Sequence, residues 1–397
     1  MTSNLKKYKL KDVCVKITDG SHYSPKPQKN GYPMLSVKDM LEYCFNYSNC
    51  KFISADDYEN MEKNGCVPQK NDILVAKDGS YLKQIFICKE TKKDAILSSI
   101  AIFRPNTDII IPRYLCYLLK SPKIYNYISL NCVSGSALPR IVLKDFKTVD
   151  IEIPPLETQQ KIAKVLSAID DKIELNNSIN NNLEQQIQSI FKRNFIDSEY
   201  IFVKDTTIGD ICKCELGGTP SRTKPEYWNG NVAWINSGEV NKFRITKPSE
   251  YITDLGLSKS ATKLLPKKTT VLAITGATLG QISLLEIDSC ANQSVVGIIE
   301  NDTLPYEFIY PYVVNNIKEL ISHQTGGAQQ HINKQNIESL KLLLPDNEII
   351  NNYKKLVKPL FETISNNCFE NESLIQLRDT LLPKLMSGEI DVDKVEV

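Results

Sequence analysis

The sequence contains one pattern twice, and this duplication constrains the fold more than any other feature. Residues 78–85 (DGSYLKQI) recur in similar form at 275–282 (TGATLGQI), and residues 134–137 (SGSA) recur at 325–328 (TGGA). Each copy is followed by a long stretch with apolar residues at helical spacing. Self-similarity at a long and nearly constant spacing indicates a repeated structural unit. The sequence therefore predicts a globular half followed by a helix, present twice.

The composition narrows the class of protein. Of the 397 residues 42% are hydrophobic and 24% are charged, which is typical of a soluble protein with two sizeable cores. No apolar run is long enough to span a bilayer, and the first residues lack the apolar run of a secretory signal. The eleven cysteines are scattered, and the three histidines form no metal-ligand spacing. We therefore expect a cytoplasmic protein with reduced cysteines, no membrane contact and no metal.

The chain is not a polycation, because its formal net charge is only +1. A DNA-binding protein needs basic residues on one face rather than a basic average. Local basic clusters occur at 6–11, 89–93 and 263–268, and for each cluster taken singly a solvated loop is the favoured interpretation. The charge therefore leaves nucleic-acid binding open.

The first long helix is predicted over residues 156–195, where no Gly or Pro interrupts the chain. Ile162, Leu166 and Ile169 recur at spacings of three and four, the pattern of an amphipathic helix. Five asparagines between 176 and 182 interrupt this apolar stripe. An asparagine in a helix–helix seam specifies register at a cost in stability, and a frayed or bent segment is the alternative interpretation.

A second long helix follows Pro345, with Tyr353 and Val357 at the start of its apolar stripe. We expect a kink at Pro359 and an end at Gly388. These features divide the chain into a first strand-rich domain at 1–154, a first long helix at 155–197, a second domain at 198–345, a second long helix at 346–388 and a C-terminal tail at 389–397.

Two helices with one apolar stripe each are not stable alone in water, so we expect them to pair. Because each helix leaves one copy of a duplicated unit, a two-fold-like arrangement makes them antiparallel, with a strand-rich domain at each end. The predicted fold is α+β, with two strand-rich globular domains separated by a coiled coil of two long antiparallel helices. Domains about 34 Å apart would face successive major grooves of B-DNA.

Loops rich in glycine, proline and hydroxyl side chains occupy matching places in the two halves. Residues 19–26 (DGSHYSPK) belong to the first half, and residues 217–222 (GGTPSR) belong to the second. Their hydroxyls and Arg222 are suited to phosphate oxygens or base edges, although turn formation alone also explains such residues. We expect Trp228 and Trp234 to be core residues rather than stacking platforms. The segment 275–280 lacks the ending of a phosphate-binding loop, so we predict a tight turn there.

The candidate residues fall into two sets. The candidates for DNA contact are Ser21, His22, Tyr23, Lys26, Lys77, Ser80, Tyr81, Arg140, Thr219, Ser221, Arg222, Asn231, Ser237, Thr275, Thr278, Gln330, Asn333 and Lys334. The candidates for partner contact on the two helices are Gln159, Gln160, Ile162, Leu166, Ile169, Tyr353, Val357 and Leu381.

No catalytic signature accompanies these loops. The sequence has no GxSxG, HExxH or zinc-deaminase motif, no Walker A loop and no Asn-Pro-Pro-aromatic box of amino-methyltransferases. We therefore predict no catalytic residues in this chain and expect a recognition protein rather than an enzyme.

Taken together, these segments resemble the specificity subunit of a type I restriction-modification system. The resemblance rests on DGSHYSPK (19–26), VSGSALPRI (133–141) and IPPLETQQKIAKVLSAID (153–170) in the first half. In the second half it rests on GGTPSR (217–222), YWNGNVAWINSGEV (227–240), TGATLGQISLLEIDSCANQSVVGI (275–298) and LRDTLLPKLMSGEIDV (377–392). The resemblance extends over almost the whole chain, and the order and duplication of these segments make it specific.

The resemblance implies that each strand-rich domain is a target recognition domain for one half of a split DNA site. It implies that the helices set the spacer and bind two methylation subunits, with restriction subunits as further partners. S-adenosylmethionine, ATP and Mg²⁺ would then be used by the partners, and this chain would bind double-stranded DNA without a cofactor. The second helix departs from the family pattern, because LPDNEII (344–350) replaces the PPLETQQ (154–160) of the first helix. The two helices are therefore not expected to bind partners equally.

Two other classes of function remain open from the residues alone. One is a nuclease or methyltransferase with an unrecognised active site, and turnover by the purified chain would indicate it. The other is a coiled-coil assembly protein without a DNA role, and co-purification with unrelated partners would favour it.

Overall fold

The computed structural model describes residues 5–78, 84–134, 140–197, 202–322 and 331–395. The chain divides into two compact units. Unit 1 comprises two stretches of sequence, residues 1–174 and 374–397, and unit 2 comprises the single stretch 175–373. Each unit therefore combines one strand-rich domain with part of each long helix.

The domain of unit 1 is built from short strands with helices packed against them. Its strands are β1 (Lys6–Lys9), β2 (Cys14–Asp19), β3 (Tyr32–Leu35), β4 (Lys51–Ile53), β5 (Ile73–Ala76), β6 (Ile85–Ile87), β7 (Ala95–Ile96), β8 (Ile100–Pro105), β9 (Val133–Ser134), β10 (Arg140–Ile141) and β11 (Asp150–Ile153). Its helices are α1 (Ala55–Lys63), α2 (Pro112–Lys120), α3 (Pro122–Asn131) and α4 (Leu143–Thr148). The long helix α5 (Leu156–Phe195) follows and continues into unit 2.

The domain of unit 2 has the same character. Its strands are β12 (Phe202–Thr207), β13 (Lys213–Leu216), β14 (Trp228–Ile235), β15 (Glu250–Ile252), β16 (Leu264–Leu265), β17 (Thr270–Ala273), β18 (Ile282–Leu284), β19 (Ser289–Ala291), β20 (Val295–Ile299) and β21 (Lys341–Pro345). Its helices are α6 (Ile208–Ile211), α7 (Asp254–Ser258), α8 (Tyr306–Ser322) and α9 (Lys334–Glu338). The second long helix, α10 (Asn347–Ser387), begins in unit 2 and ends in unit 1.

The two domains share most of their sheet topology, although the second sheet has three strands in unit 1 (β4-β3-β7) and four in unit 2 (β15-β14-β19-β16). A four-stranded antiparallel sheet has the order β2-β8-β5-β6 in unit 1 and β13-β20-β17-β18 in unit 2. A second sheet contains one parallel pair in each unit, β3 with β7 and β14 with β19. The first and last strands of each domain also pair, β1 with β11 and β12 with β21. The duplication predicted from the sequence is therefore a duplication of topology.

The repeat extends to individual hydrogen bonds. The amide of Ile141 donates to the carbonyl of Lys77 at 2.9 Å, and the amide of Ile332 donates to the carbonyl of Ile274 at 3.0 Å. Gly20 and Gly217 occupy matching close approaches, because a Cβ at either position would lie 2.2 Å from a backbone oxygen of the neighbouring segment. Only glycine fits such an approach without moving the backbone.

The two long helices pack against each other within each unit. In unit 1, Ile162 and Leu166 of α5 share a hydrophobic core with Leu382 and Leu385 of α10. In unit 2, Ile187 and Phe191 of α5 share a core with Tyr353, Val357, Phe361 and Ile364 of α10. At 1.5 Å per residue, helices of 40 and 41 residues are each about 60 Å long. The predicted helices and the α+β class are confirmed.

Side-chain amides lie between the two long helices in unit 2, and their pairing shows the relative direction of the helices. Asn176 Nδ2 donates to Asn371 Oδ1, and Asn367 Nδ2 donates to Asn180 Oδ1, both at 2.9 Å. Because rising numbers along α5 meet falling numbers along α10, the helices are antiparallel. The helix is unbroken through these asparagines, so the frayed segment is wrong, and the specification of register by these amides stays a prediction.

The second long helix ends as predicted. Gly388 follows its last residue with φ of 75°, the left-handed conformation that favours glycine at a helix end. The helix continues through Pro359, and the kink expected there stays a prediction.

A polar cluster joins the domain to the helices in unit 1, and we call it anchor cluster 1 (Tyr43, Tyr117, Asp170 and Arg378). Asp170 of α5 accepts hydrogen bonds from Tyr43 and Tyr117 of the domain at 3.0 and 2.7 Å. Arg378 of α10 donates to Asp170 at 3.0 Å and to the Tyr43 hydroxyl at 2.6 Å. Both helices are thus tied to the domain through one carboxylate.

Anchor cluster 2 (Glu184, Arg244, Glu286 and Tyr310) has the same role in unit 2. Arg244 of the domain donates to Glu184 of α5 at 2.8 Å and to the Tyr310 hydroxyl at 3.1 Å. Its guanidinium lies 4.4 Å from the centre of the Phe243 ring and 4.6 Å from that of Tyr310. Glu286 pairs with Lys268 and accepts from Ser365 of α10 at 2.8 Å.

Three further observations concern possible classes of protein. None of the described helices has the length and apolar character needed to cross a membrane. Among the described residues, no cluster of three or more His, Cys, Asp and Glu side chains is suited to a metal ion. All eleven cysteines are free thiols, and burial raises the pKa of Cys212 and Cys214 to about 12. Such thiols stay protonated at neutral pH, so they are unreactive structural residues.

Candidate nucleic-acid interface

The loop after β2 presents the first group of candidates in unit 1. Ser21 closes a tight turn, because its hydroxyl accepts from the amide of Tyr23 at 3.1 Å and donates to the Tyr23 carbonyl at 2.7 Å. His22, Tyr23 and Lys26 are exposed on this turn, and Tyr23 keeps 67% of its surface accessible. The turn therefore places a phenol ring and two nitrogen-bearing side chains in solvent.

Lys77 is a correction to the sequence prediction. Its side chain is buried, with 3% of its surface exposed, and its ammonium group pairs with Asp19 at the end of β2. A buried lysine keeps its charge only when such a partner compensates for lost hydration, and here that partner is Asp19. Lys77 is therefore not available to a phosphate and instead links β2 to the end of β5.

Arg140 lies beside this buried pair and remains half exposed. Its Nε and Nη2 donate to the two carboxylate oxygens of Asp78 at 2.8 and 2.7 Å. These hydrogen bonds raise the pKa of Arg140 further above its usual value. The neighbouring candidates Ser80 and Tyr81 lie outside the described residues, as does Gln330 in the second half.

The corresponding loop in unit 2 is supported by two tryptophans. The buried Trp234 donates from Nε1 to the carbonyl of Gly218 at 3.1 Å, and the half-buried Trp228 donates to the carbonyl of Ser221 at 3.2 Å. The two rings meet edge to face with centres 5.2 Å apart. The prediction that both tryptophans are core residues is confirmed for Trp234, whereas the half-buried Trp228 packs beneath the loop.

Arg222 packs against the ring of Trp228. Its guanidinium lies 3.5 Å from the centre of the Trp228 ring, within the range of a cation–π interaction. Its Nη1 and Nη2 donate to the two oxygens of Glu250, the latter at 2.9 Å. The hydrogen bonds from Arg222 lower the pKa of Glu250, so this carboxylate stays ionised near neutral pH. Sequence reasoning missed Glu250, because no local signal links it to a residue 28 positions away.

The remaining candidates of unit 2 have mixed surroundings. Thr219 is hydrogen-bonded to Gln293, and Ser221 is within 2.8 Å of the hydroxyl of Thr223. Asn231 is exposed on β14, and Ser237 is half-buried at the start of a short 3-10 helix. Thr219, Ser221 and Asn231 are exposed, so these three remain accessible to a ligand.

The candidates from the two later loops have identifiable structural roles. Residues 276–278 form a single 3-10 turn between β17 and β18, which agrees with the predicted tight turn, and Thr278 donates to the carbonyl of Thr275 at 3.4 Å. Asn333 caps α9 by accepting from the amide of Asn336 at 2.9 Å. Lys334 pairs with Glu338 at 3.2 Å.

The predicted partner-contact set on the helices is mostly corrected by the structure. Five of its apolar members are buried against the core of their own unit, namely Ile162, Leu166, Ile169, Tyr353 and Val357. Gln159 is also buried, and its amide bonds to the backbone of residues 109, 111 and 154. The apolar stripe of an amphipathic helix packs against apolar surface, and here that surface belongs to the same unit of the chain. Of this set, Gln160 is exposed and Leu381 is half-buried.

Other apolar side chains of the helices do face solvent. These are Leu175, Ile179, Leu356, Phe369 and Leu377, each with at least 38% of its surface exposed. Ile179 and Leu377 belong to the apolar periodicity of their helices, whereas Leu175, Leu356 and Phe369 lie off it.

Comparisons with known proteins identify the family. A family model described as the type I restriction modification DNA specificity domain matches the chain twice, over residues 2–185 and 203–377. A type I restriction enzyme HindI specificity subunit from Haemophilus influenzae is 25% identical, over 98% of this chain and 100% of that protein. The MjaIX specificity subunit from Methanocaldococcus jannaschii is 28% identical, over 72% of this chain and 71% of that protein.

A solved structure shares the fold. The crystal structure of a type I restriction-modification system S subunit from M. genitalium matches with a TM-score of 0.58 and 16% sequence identity, covering 97% of each chain. At that identity the likeness concerns the fold alone.

Proposed function

The chain belongs to the family of type I restriction modification DNA specificity domains and contains two of them, and we propose that it recognises a bipartite DNA site, one half-site per domain. Recognition of a sequence requires contacts to base edges in the grooves, and phosphate contacts supply position and affinity. Each domain would contribute its own loops to one half-site. The two long helices would set the spacer between the half-sites.

One observation carries this proposal. The two domains share most of their sheet topology, but the loops at matching places differ in chemistry. After the matching Gly20 and Gly217, unit 1 presents an exposed turn with His22 and Tyr23, whereas unit 2 presents Arg222 packed against the Trp228 ring. Duplicated scaffolds with different loops suit a target with two unequal parts.

We further propose that this chain performs no catalysis and that partner subunits modify the DNA. Methylation of a stacked base requires the base to be flipped out of the duplex, and that pocket would belong to the methylation subunits. Two methylation subunits would bind the helices, with restriction subunits as additional partners in the cytoplasm. S-adenosylmethionine, ATP and Mg²⁺ would be used by those partners. The exposed Leu175, Leu356, Phe369 and Leu377 are better candidates for partner contact than the buried stripe.

Segment exchange tests the central claim. Residues 198–345 are replaced by the corresponding segment of another family member, and methylation is mapped across a genome that carries the exchanged gene or the original. We expect one half-site to change and the other to stay. A simultaneous change of both half-sites would contradict the assignment of one half-site to each domain.

A second test separates recognition from catalysis. The purified chain is incubated alone with labelled S-adenosylmethionine and DNA, or with plasmid and Mg²⁺, and then with its methylation subunits. We expect turnover only in the reconstituted complex. Binding of the complex should also weaken steeply with salt, because phosphate contacts release counterions. Turnover by the chain alone would favour the enzyme alternative.

A further inference from the structure

The ion pair between Arg222 and Glu250 occupies the part of Arg222 that is best suited to DNA. Glu250 engages Nη1 and Nη2, which form the outer edge of the guanidinium. That edge presents two parallel N–H groups, and it binds guanine O6 and N7 or two phosphate oxygens in the same bidentate manner. A carboxylate offers two acceptors at similar spacing. Glu250 therefore occupies the place that a DNA acceptor pair would take.

Neighbouring residues hold the outer edge of the Arg222 guanidinium at the protein surface. Trp228 supports the face of the guanidinium, and its indole N–H fixes the backbone at Ser221. Glu250 begins β15, where it lies directly opposite the buried Trp234 of β14. The side chains of Arg222 and Glu250 nevertheless keep 54% and 37% of their surfaces exposed. Both partners are thus positioned by a rigid sheet and remain accessible to a ligand.

We propose that Glu250 limits the affinity of unit 2 for DNA, because it holds Arg222 in the DNA-free protein and releases it only to an acceptor pair on the duplex that binds the guanidinium at least as well. This inference rests on the proposed function, in which unit 2 recognises one half-site. At the matching sequence, the acceptor pair replaces the carboxylate and Arg222 exchanges one bidentate partner for another. At other sequences Arg222 stays with Glu250, and the negative charge of Glu250 faces the phosphates.

The physical basis is competition for one guanidinium edge. An arginine without a partner binds any phosphate, so it adds affinity for every sequence and little selectivity. A competing carboxylate lowers that gain in affinity, because the ion pair must break before Arg222 binds an acceptor pair on the duplex. In unit 1, Asp78 accepts hydrogen bonds from Nε and Nη2 of Arg140, whereas Glu250 accepts from Nη1 and Nη2 of Arg222.

The experiment compares Glu250→Gln with a matched control, Glu226→Gln. Glu226 is an exposed glutamate on the short 3-10 helix just after the same loop, and within the described residues it forms no ion pair with an arginine. Both variants remove one negative charge from the same domain. The complex with methylation subunits is titrated with the cognate duplex, with duplexes carrying single changes in the half-site of unit 2, and with a scrambled duplex, over a series of salt concentrations.

We expect Glu250→Gln to increase affinity for the scrambled duplex by about three- to five-fold, the range of an exposed ion pair. Affinity for the cognate duplex should increase by a similar factor, larger than the factor for Glu226→Gln, because the ion pair no longer has to break before Arg222 binds the duplex. The salt dependence on the scrambled duplex should steepen by about one phosphate contact. Glu226→Gln should change affinity for the cognate and scrambled duplexes by the same factor.

The double variant Arg222→Gln with Glu250→Gln isolates the pair. Without Arg222 to release, Glu250→Gln should have only the effect of Glu226→Gln. Arg222→Gln alone identifies the acceptor: loss of roughly ten-fold or more in discrimination at one G·C pair indicates guanine, and a uniform loss across sequences with a smaller salt slope indicates phosphate.

Two results would overturn the inference. One is an equal effect of Glu250→Gln and Glu226→Gln in a complex that still selects its site. The other is a loss of affinity for all duplexes in Glu250→Gln with unchanged tryptophan fluorescence, which would make the pair a structural clamp. If the wild-type complex selects no site, the proposed function fails instead, and the two failures are therefore distinguishable.

Discussion

The two units attach a strand-rich domain to the long helices with different residues in the same general place. In anchor cluster 1 the cation is Arg378, from a helix, and the domain contributes Tyr43 and Tyr117. In anchor cluster 2 the cation is Arg244, from the domain, and α5 contributes Glu184. In both clusters a carboxylate of α5 accepts hydrogen bonds from the domain, but the arginine comes from α10 in unit 1 and from the domain in unit 2.

The clusters also differ in how completely they exclude water. The side chain of Arg244 is fully buried and lies against aromatic rings, whereas that of Arg378 keeps 13% of its surface exposed. Arg244 Nε and Glu286 Oε1 have no hydrogen-bond partner among the described residues and are 3.9 Å apart. Removing one member of a buried pair costs most where the remaining charge cannot be rehydrated. Cluster 2 should therefore be the more sensitive of the two.

The largest expected effect follows from Arg244→Met. The substitution leaves the carboxylates of Glu184 and Glu286 without the guanidinium, and the expected loss is about 3–5 kcal/mol in the free energy of unfolding. Both tryptophans of the chain, Trp228 and Trp234, belong to unit 2, so tryptophan fluorescence during urea unfolding monitors that unit. A loss below about 1 kcal/mol would show that the buried charge is not a main contact of unit 2.

Arg378→Met tests the same contact in unit 1 and should cost about 2–3 kcal/mol, because water reaches the remaining Asp170 more easily. Hydrogen exchange in peptides from α2 and from the first half of α5 measures the change. Tyr43→Phe, which removes one hydroxyl, should cost only about 1 kcal/mol and serves as the control. If Arg378→Met proves more damaging than Arg244→Met, the ranking of the two clusters by burial is wrong.

The amide seam is a second contrast between the units, since the corresponding part of unit 1 is apolar. Asn176→Leu leaves Asn371 Oδ1 without its donor and should cost about 1–2 kcal/mol. The double substitution of Asn176 and Asn371 by Leu should recover part of that loss, because two apolar side chains can then pack together while Asn177 loses the donor Asn371 Nδ2. Urea unfolding followed by fluorescence measures both. Failure of the double variant to recover would mean that the amides stabilise unit 2 in addition to specifying register.

The smallest expected effect concerns the second residue of a helix in each unit. In unit 1 it is Arg113 of α2, which pairs with Asp171, whereas in unit 2 it is Glu307 of α8, which is buried with no hydrogen-bond partner for either oxygen among the described residues. Burial raises the pKa of Glu307 above its ordinary value. The folded protein therefore binds this proton more tightly than the unfolded chain does. The resulting stability is present below the unfolded pKa and is lost as the pH rises through the folded pKa.

Glu307→Gln replaces the carboxylate by a neutral side chain of similar shape. At pH 7 it should stabilise unit 2 by about 1 kcal/mol, and at about pH 4 the difference from the wild type should nearly vanish. Thermal unfolding followed by tryptophan fluorescence at both pH values measures this. Glu362→Gln, at an exposed position of α10, should show no such dependence on pH. An equal gain at both pH values would mean that the raised pKa of Glu307 does not govern the stability of unit 2.

Some features of the fold are local in origin and were predictable. The glycine loops, the helix from 156 to 195 and the end at Gly388 depend on backbone preferences and apolar spacing within a few residues. Ile141 and Ile332, matched by their position in the repeat, make the same hydrogen bond in the structure. The buried pair of Lys77 with Asp19 was not predictable in this way, because it depends on which strand ends meet across 58 residues of sequence.

The duplication, the two long helices, their antiparallel pairing and the family to which the chain belongs all follow from the amino-acid sequence alone. Each of them is recorded in patterns that repeat along the chain or in short-range periodicity. Three other features emerge only when the chain is folded: which charged side chains are buried, which face of each helix meets its own domain, and that Glu250 holds the outer edge of Arg222. These three features depend on strand pairing and on which residues, distant in sequence, exclude water from each other. No local sequence pattern records them.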